Sequence, residues 1–305
     1  SLIAVLFAFI AASCGSKSNY DPDNWYTPGG GDDGKDEEKV EDIVNTDGAL
    51  KLMSFNVRYA NANDGANNWD YRKNDLYTMI KTEKPLVIGL QECQMNQRND
   101  MVDNCTEYAA IGVGRDDGAG KGETCSIMYH KGSCEIVKWG SFWLSETPDK
   151  PGIKGWDANN VRVATWAIVK VKATGKQFFY INTHLDHESV TAQVEGMKLI
   201  ANKFQDYQKE VDALFLTGDL NVEATHEAID AIKGFMRNAR TYANRSDNFG
   251  TTNSFESETK KSKIDHIYYN KELKNPVEYY TIRDTYNGVK FVSDHYPIYT
   301  IIRLK

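Results

Sequence analysis

Between Met53 and Tyr59 apolar residues alternate with Ser54, Asn56 and Arg58, a period of two that predicts a strand over Leu50–Tyr59. The next apolar spacing is helical and predicts Arg72–Lys84, with Pro85 as the stop. A short apolar run at Leu86–Leu90 reads as a second strand, and Met95–Val102 as a second helix. Alternating aromatic or branched residues then predict strands near Tyr108–Val113, Cys125–Tyr129, Glu135–Leu144, Val163–Val171 and Gln177–Asn182. A long amphipathic segment predicts a helix over Val190–Tyr207, followed by a strand at Ala213–Leu216 and a helix at His226–Lys233. Strands at Ile264–Tyr269, Tyr279–Ile282 and Tyr296–Leu304 complete the pattern.

Many strands interrupted by helices imply an α/β (α+β) fold. Strands covered on one face by helices and on the other by a second sheet give a four-layer αββα sandwich of two packed mixed β-sheets. No fixed-period repeat and no Gly-rich phosphate loop occurs, and Gly112-Val113-Gly114 reads as a strand end.

The first residues form a different pattern. Leu2 to Ala12 is an apolar run too short to span a bilayer, and it ends at Ala11-Ala12-Ser13-Cys14. Small residues before a Cys resemble a bacterial lipoprotein signal; a short buried helix is the competing reading. On the signal reading Cys14 is the lipidation site, and the chain is exported and lipid-anchored to a periplasmic or cell-surface membrane face without a spanning helix. The polar, Pro- and Gly-containing, acidic stretch 15–47 reads as a disordered linker, which leaves 48–305 as one folded domain.

Charge changes the picture once it is divided. Residues 1–47 carry the whole net charge of −7, leaving 33 acidic and 33 basic residues in 48–305. A formally neutral domain neither repels nucleic acid nor supplies the basic excess of a non-specific nucleic-acid binder. Export permits disulfides, so Cys93, Cys105, Cys125 and Cys134 allow three pairings, with no zinc spacing among them.

The candidate chemistry sits at strand ends. The apolar Ala213–Leu216 runs through Thr217-Gly218 into Asp219-Leu220-Asn221, and alternation puts Asp219 and Asn221 on one side. There a carboxylate orients water while the neutral amide bonds a phosphate oxygen without repulsion. Asp294-His295 precedes the last strand, and Asp265 is the candidate carboxylate that fixes the His295 tautomer. Glu92 follows the strand Leu86–Leu90 and Asn56 lies within the first strand; with Asp294 they are hard oxygen ligands suited to Mg2+ or Mn2+. His184 ends the strand begun at Gln177 and could donate to a phosphate oxygen. Each segment alone is also an ordinary strand exit or turn.

Taken together and in this order, these segments resemble the endonuclease/exonuclease/phosphatase superfamily, the DNase I-like fold, over about residues 49–305. The closest likeness is to exported bacterial members, through Asn56-Val57-Arg58-Tyr59, the loop Asn63 to Trp69 and Trp143-Leu144-Ser145-Glu146-Thr147-Pro148. The resemblance implies a metal-dependent phosphoesterase that attacks a phosphodiester or phosphomonoester directly with water. Asn56, Glu92 and Asp294 would lie around the metal, Asp219 and Asn221 would position water and phosphate, and His295 with Asp265 would serve acid/base chemistry. His184 would stabilise charge on the phosphate, and Glu123 resembles the acid that orients this His in DNase-like members. Related members tend to place an Arg near Gln193, so substrate contacts are sought instead among Arg58, Trp69, Arg72, Trp156 and His187. The tryptophans have packing under a loop, and the arginines surface ion pairs, as alternatives. The expected partner is a phosphate-ester substrate met by a monomer. A binding lipoprotein that had lost catalysis is the other class, and it would be expected to lack one of Asn56, Glu92, His184, Asp219 or His295.

Overall fold

Within the first strand Leu50 and Leu52 join one apolar cluster and Met53 and Phe55 another, so both faces of the strand are covered. The computed structural model describes residues 48–256 and 262–304. Cys14 and the segments assigned to the signal and linker lie outside the described residues.

The chain forms β1 (Ala49–Asn56), α1 (Trp69–Glu83), β2 (Val87–Gln91), the short β3 (Cys93–Gln94) and α2 (Met95–Asn104). Then come β4 (Tyr108–Ile111), β5 (Glu123–Thr124), β6 (Ile127–His130), β7 (Cys134–Trp143), β8 (Val163–Val171) and β9 (Gln177–His184). After α3 (Val190–Tyr207) follow β10 (Ala213–Asp219), β11 (Met236–Asn238), α4 (Ala239–Tyr242) and β12 (Arg245–Ser246). The last described strands are β13 (Asp265–Asn270), β14 (Glu278–Thr281) and β15 (Ile298–Arg303).

Seven strands form one sheet in the order β12-β14-β15-β1-β2-β6-β4, and six form a second in the order β11-β13-β10-β9-β8-β7. Both are mixed: β1 runs parallel to β2 and antiparallel to β15, and β10 runs parallel to β9 and antiparallel to β13. Leu52, Val87, Val169, Phe178, Phe215 and Ile298 fill the space between the sheets. Helices α1 and α2 cover the outer face of the first sheet around Phe55, Leu76 and Met101, and α3 covers that of the second around Phe179, Ile200 and Phe204. Each such side chain contributes about 1.5–3 kcal/mol by leaving water. This is the four-layer sandwich that the alternation of elements implied.

Local signals explain the element ends. Lys84 adopts a left-handed conformation (φ 45°) as its N–H bonds to the Ile80 carbonyl, and Pro85 cannot continue α1. Ser189 caps α3 by accepting the Ala192 N–H. The expected helix His226–Lys233 is only a 3-10 stretch, Glu227–Ala231, because so short a segment gains too few hydrogen bonds to sustain a regular helix. The four cysteines of the described residues are buried and no disulfide joins any two of them, so none of the three pairings forms.

Between the sheets also runs a seam of buried polar side chains. Asn182 Oδ1 accepts from Gln91 Nε2 at 2.6 Å and from Thr217 Oγ1 at 3.1 Å, while its Nδ2 donates to the Leu90 and Ser126 carbonyls. Gly89 makes room for it: a Cβ there would stand 2.2 Å from Thr217 Oγ1 and 2.4 Å from Asn182 Oδ1.

Candidate active site

The inward stripe of several strands changes character at one end of the sandwich. On β10 the period of two that places Ala213 and Phe215 in the core continues to Thr217 and Asp219. On β9 the stripe Phe178, Tyr180 continues to Asn182 and His184, and on β1 Leu50, Leu52 continues to Ser54 and Asn56. Antiparallel β13 carries the same pattern reversed, starting at Asp265 before Ile267 and Tyr269. Strand register completes the arrangement, because Asp219 stands opposite His184 on one side and Asp265 on the other.

Asn56 joins the two sheets at this end. Its Nδ2 donates to Glu92 Oε1 and to Asp219 Oδ2, each at 3.0 Å, while its Oδ1 accepts the Arg58 N–H. Asp219 Oδ1 accepts the Asn221 N–H, and its Oδ2 lies 3.6 Å from His184 Nε2 and 3.8 Å from His295 Nε2. Arg58, Glu92 and Asn221 have φ of 57°, 53° and 53°, a left-handed conformation that costs non-glycine residues roughly 1–2 kcal/mol each. Such strain concentrates where the chain must turn sharply at a strand exit. At Asn221 it ends the alternation that would have aligned the amide with Asp219, and Nδ2 donates instead to the Leu185 carbonyl.

The Asp265 and His295 pairing expected from sequence is present, with Oδ2 2.8 Å from Nδ1. Burial alone would depress His295, but Asp265 and Asp219 outweigh it and hold the imidazole well above its ordinary range. Burial and then Asp265 push Asp219 up to about 7, against the smaller opposing effects of the charge on His295 and the bond from Asn56. In this tightly packed pair the proton therefore belongs to the imidazole. The loop that carries His295 is fixed from both sides: Ser293 Oγ donates to the Asn56 carbonyl, and the Asn253 and Ser254 N–H groups donate to the Asp294 carbonyl. His184 behaves oppositely. Burial, then Arg162 and Arg115, hold it well below its ordinary range, so it is a neutral imidazole, and its buried Nδ1 has no hydrogen-bond partner.

Not every expected site residue faces this centre. Arg72 is buried, with its guanidinium donating to the carbonyls of Asn67, Val57, Val292 and Arg58, and burial pushes it down to about 10. Trp69 is buried too, its Nε1 donating to Asp100 at 2.9 Å. These two brace the loops around β1. Arg58 is clamped by Asp64 through two bonds of 2.9 Å and lies 3.6 Å from Asp294. Glu123 bonds Arg115 at 2.8 Å rather than His184. Trp156, left-handed at φ 50°, is half-buried, and its N–H is held by the Glu146 carboxylate. His187 is exposed, with Nδ1 3.1 Å from Arg162 Nη2. Where relatives tend to carry an Arg, Gln193 donates to the Asp186 carbonyl and so ties the loop after β9 to α3.

Several contributors escaped the sequence reading. Asp186 is buried and accepts the N–H groups of Asn159, Asn160, Glu188 and Ser189. Burial would raise it, yet those bonds more than reverse the effect and hold it at about 2. Arg162 pairs with Asp186 at 3.5 Å from a separate loop, and Arg115 pairs with Glu123 across the turn between β4 and β5. No local pattern announces such partners.

Among the described residues two overlapping groups could hold a metal ion: Glu92, His184 and Asp219, and Asp219, Asp265 and His295, with ligand atoms within 4.8 Å of one another in each. The donor set fits a divalent cation. Glu92, Asp219, Asp265 and Asp294 bring four carboxylates together, Asp294 is itself pushed up by burial, and Asp265 Oδ1 is buried without a partner. Concentrated negative charge of this kind is offset by a bound cation. Of the expected ligands, Glu92 is in a cluster, Asn56 serves it as a donor, and Asp294 stands outside both beside Arg58.

Comparison with known proteins places this geometry in a family. A solved endonuclease/exonuclease/phosphatase from Bacteroides vulgatus is 35% identical with a TM-score of 0.79, the alignment covering 84% of this chain and 99% of that one. A mannosyl-6-phosphatase from Bacteroides thetaiotaomicron is 36% identical with a TM-score of 0.78, over 83% and 99% of the two chains. An uncharacterised protein of Acanthamoeba polyphaga mimivirus is 27% identical over 287 residues, 83% of this chain and 99% of its own. The sequence profile of the Endonuclease/Exonuclease/phosphatase family matches residues 53–295, from the middle of β1 to the histidine that pairs with Asp265, and the chain belongs to that family.

Proposed function

We propose that the chain is a magnesium-dependent phosphoric ester hydrolase acting on a small-molecule phosphate by direct attack of water. The observation that carries the reading is the unbroken row Asp265, His295, Asp219, Asn56, Glu92, in which an acid/base pair adjoins a cation-binding cluster. The mannosyl-6-phosphatase likeness and the formally neutral domain favour a small-molecule ester over nucleic acid.

Glu92 and Asp219 would hold the cation, which supplies Lewis-acid polarisation of a phosphoryl oxygen. Asp219, made a stronger base by burial and by Asp265 and oriented by Asn56 and the Asn221 N–H, accepts the proton of the attacking water. As the water oxygen bonds phosphorus, the bond to the leaving oxygen breaks in line and that oxygen takes up a proton from solvent, with no covalent enzyme intermediate. His295, kept protonated by Asp265, faces the same carboxylate and holds its charge in place. Neutral His184 offers an N–H to the phosphoryl oxygen on which charge grows. We further infer export and lipid attachment at Cys14, supported by the apolar run that ends there.

The test is hydrolysis of a phosphomonoester, a phosphodiester, a sphingomyelin and a nucleic acid by the purified chain with and without magnesium. Turnover of the small esters that disappears with chelation and in His295→Ala supports the reading. Absence of turnover across the panel, or turnover indifferent to both changes, overturns it.

A further inference from the structure

Beside the catalytic carboxylates lies a small, partly open pocket lined by Glu92, Arg115, Glu123, Arg162, Val163 and His184. It is contiguous with the centre, since Glu92 and His184 belong to a group that could hold the cation. We propose that Arg162 and Arg115, with His184, form an anion subsite that receives the second negative charge of a phosphomonoester, so that the chain prefers monoester dianions to diesters. This rests on the phosphoric ester hydrolase reading given above.

The charges in the cleft are unevenly compensated. Arg115 has Glu123 at 2.8 Å. Arg162 is only 5% exposed, yet its buried Nε makes no hydrogen bond. The carboxylate nearest to it, Asp186 at 3.5 Å, already accepts four backbone N–H groups. The second buried nitrogen without a partner in the cleft wall is His184 Nδ1. Buried donors left unmade are costly, and an oxyanion seated among them completes charge-assisted bonds. Burial and the neighbouring Arg115 both weaken the hold of Arg162 on its proton, and an anion between the two guanidiniums relieves that repulsion. A monoester brings two negative charges and bare oxygens. A diester brings one charge, and a second organic group in place of one of those bare oxygens.

The experiment uses the full chain, with Arg162→Gln, Arg162→Lys and Arg115→Gln, each first checked by thermal melting. Binding of inorganic phosphate and of dimethyl phosphate is measured by calorimetry with and without magnesium. Turnover of p-nitrophenyl phosphate and of bis(p-nitrophenyl) phosphate is measured in parallel. The wild type is expected to favour phosphate over dimethyl phosphate at least about tenfold, and Arg162→Gln to erase most of that preference, as loss of a charged hydrogen bond predicts. Its kcat/KM should fall about thirtyfold for the monoester and little for the diester, with partial rescue in Arg162→Lys. Should Arg162→Gln fail to fold, Arg115→Gln, whose side chain is 17% exposed, carries the same comparison. No phosphate preference in the wild type, or one unchanged in the folded arginine variants, overturns the subsite. An arginine-dependent preference without turnover leaves the subsite standing and overturns the hydrolase reading instead.

Discussion

Asp265 Oδ2 lies 2.8 Å from His295 Nδ1, joining the first residue of β13 to the loop before β15 and so one sheet to the other. Asp265→Asn preserves the shape but removes the charge that keeps His295 protonated. We expect kcat to fall about 10²–10⁴-fold with KM little changed, as for other carboxylate–imidazole pairs. Steady-state kinetics at saturating magnesium checks this, and a loss under threefold would rule the pair out of the chemistry.

Asn56 separates two carboxylates with a single amide. Asn56→Asp places a third negative group between them, which is expected to destabilise the chelated protein by about 2 kcal/mol, or roughly 5 °C in melting temperature. Adding magnesium should recover more stability in the variant than in the wild type. Melting curves in chelator and in magnesium give the comparison, and an unchanged melting temperature in chelator contradicts the crowding of charge described here.

Asp186 makes stability depend on acid. Its folded value of about 2 lies below the ordinary 3.8, so its contribution is fully present above 3.8 and lost as pH falls towards 2. At neutral pH the shift is worth roughly 2 kcal/mol. Urea denaturation of the wild type and Asp186→Asn at several pH values should show a gap of that order at pH 6, narrowing steadily below pH 4. A gap that widens on acidification has the wrong sign.

Gly89→Ala tests the seam between the sheets. The added methyl meets Thr217 Oγ1 and Asn182 Oδ1, both short buried side chains with little room to move. Overpacking of this kind costs about 1–3 kcal/mol. Because Thr217 and Asn182 each sit two residues before Asp219 and His184, turnover should fall along with melting temperature; lowered stability with unaltered kcat would show that the site is insulated from the seam.

Arg72→Met removes a buried guanidinium that serves four carbonyls. Leaving those acceptors unpaired is expected to cost about 3 kcal/mol or more, read from denaturant midpoints. A neutral outcome would mean that the loops after β1 and before Asp294 hold themselves.

The sandwich and the centre of the site were legible in the chain because both rest on one short-range rule. Period-two alternation puts Asn56, His184 and Asp219 on the inward stripe where it leaves the apolar core, and Asp265 where a reversed strand enters it. Asp265 and His295, thirty residues apart, could be paired because each flanks a strand. What alternation does not encode is where a long side chain ends. Arg72 turned inward to backbone carbonyls, Trp69 reached Asp100, and Glu123 went to Arg115. Those endpoints depend on loops brought together only by the folded chain. The left-handed turn at Asn221 shows a second limit, since a single φ cancels the alternation on which the sequence argument stood. The four cysteines show a third, for proximity between thiols is a property of sheet stacking, not of spacing.

The buried seam of Gln91, Asn182 and Thr217 lies directly beneath groups contributed by different sheets. It works as a registration pin. If the layers slid past one another by an ångström, Asn56 would lose its reach to Asp219 before the apolar contacts between the sheets were much disturbed. Hydrolytic competence is thus a finer gauge of how the layers are stacked than stability is, and damage to the pin should be visible first as a slow enzyme that still folds.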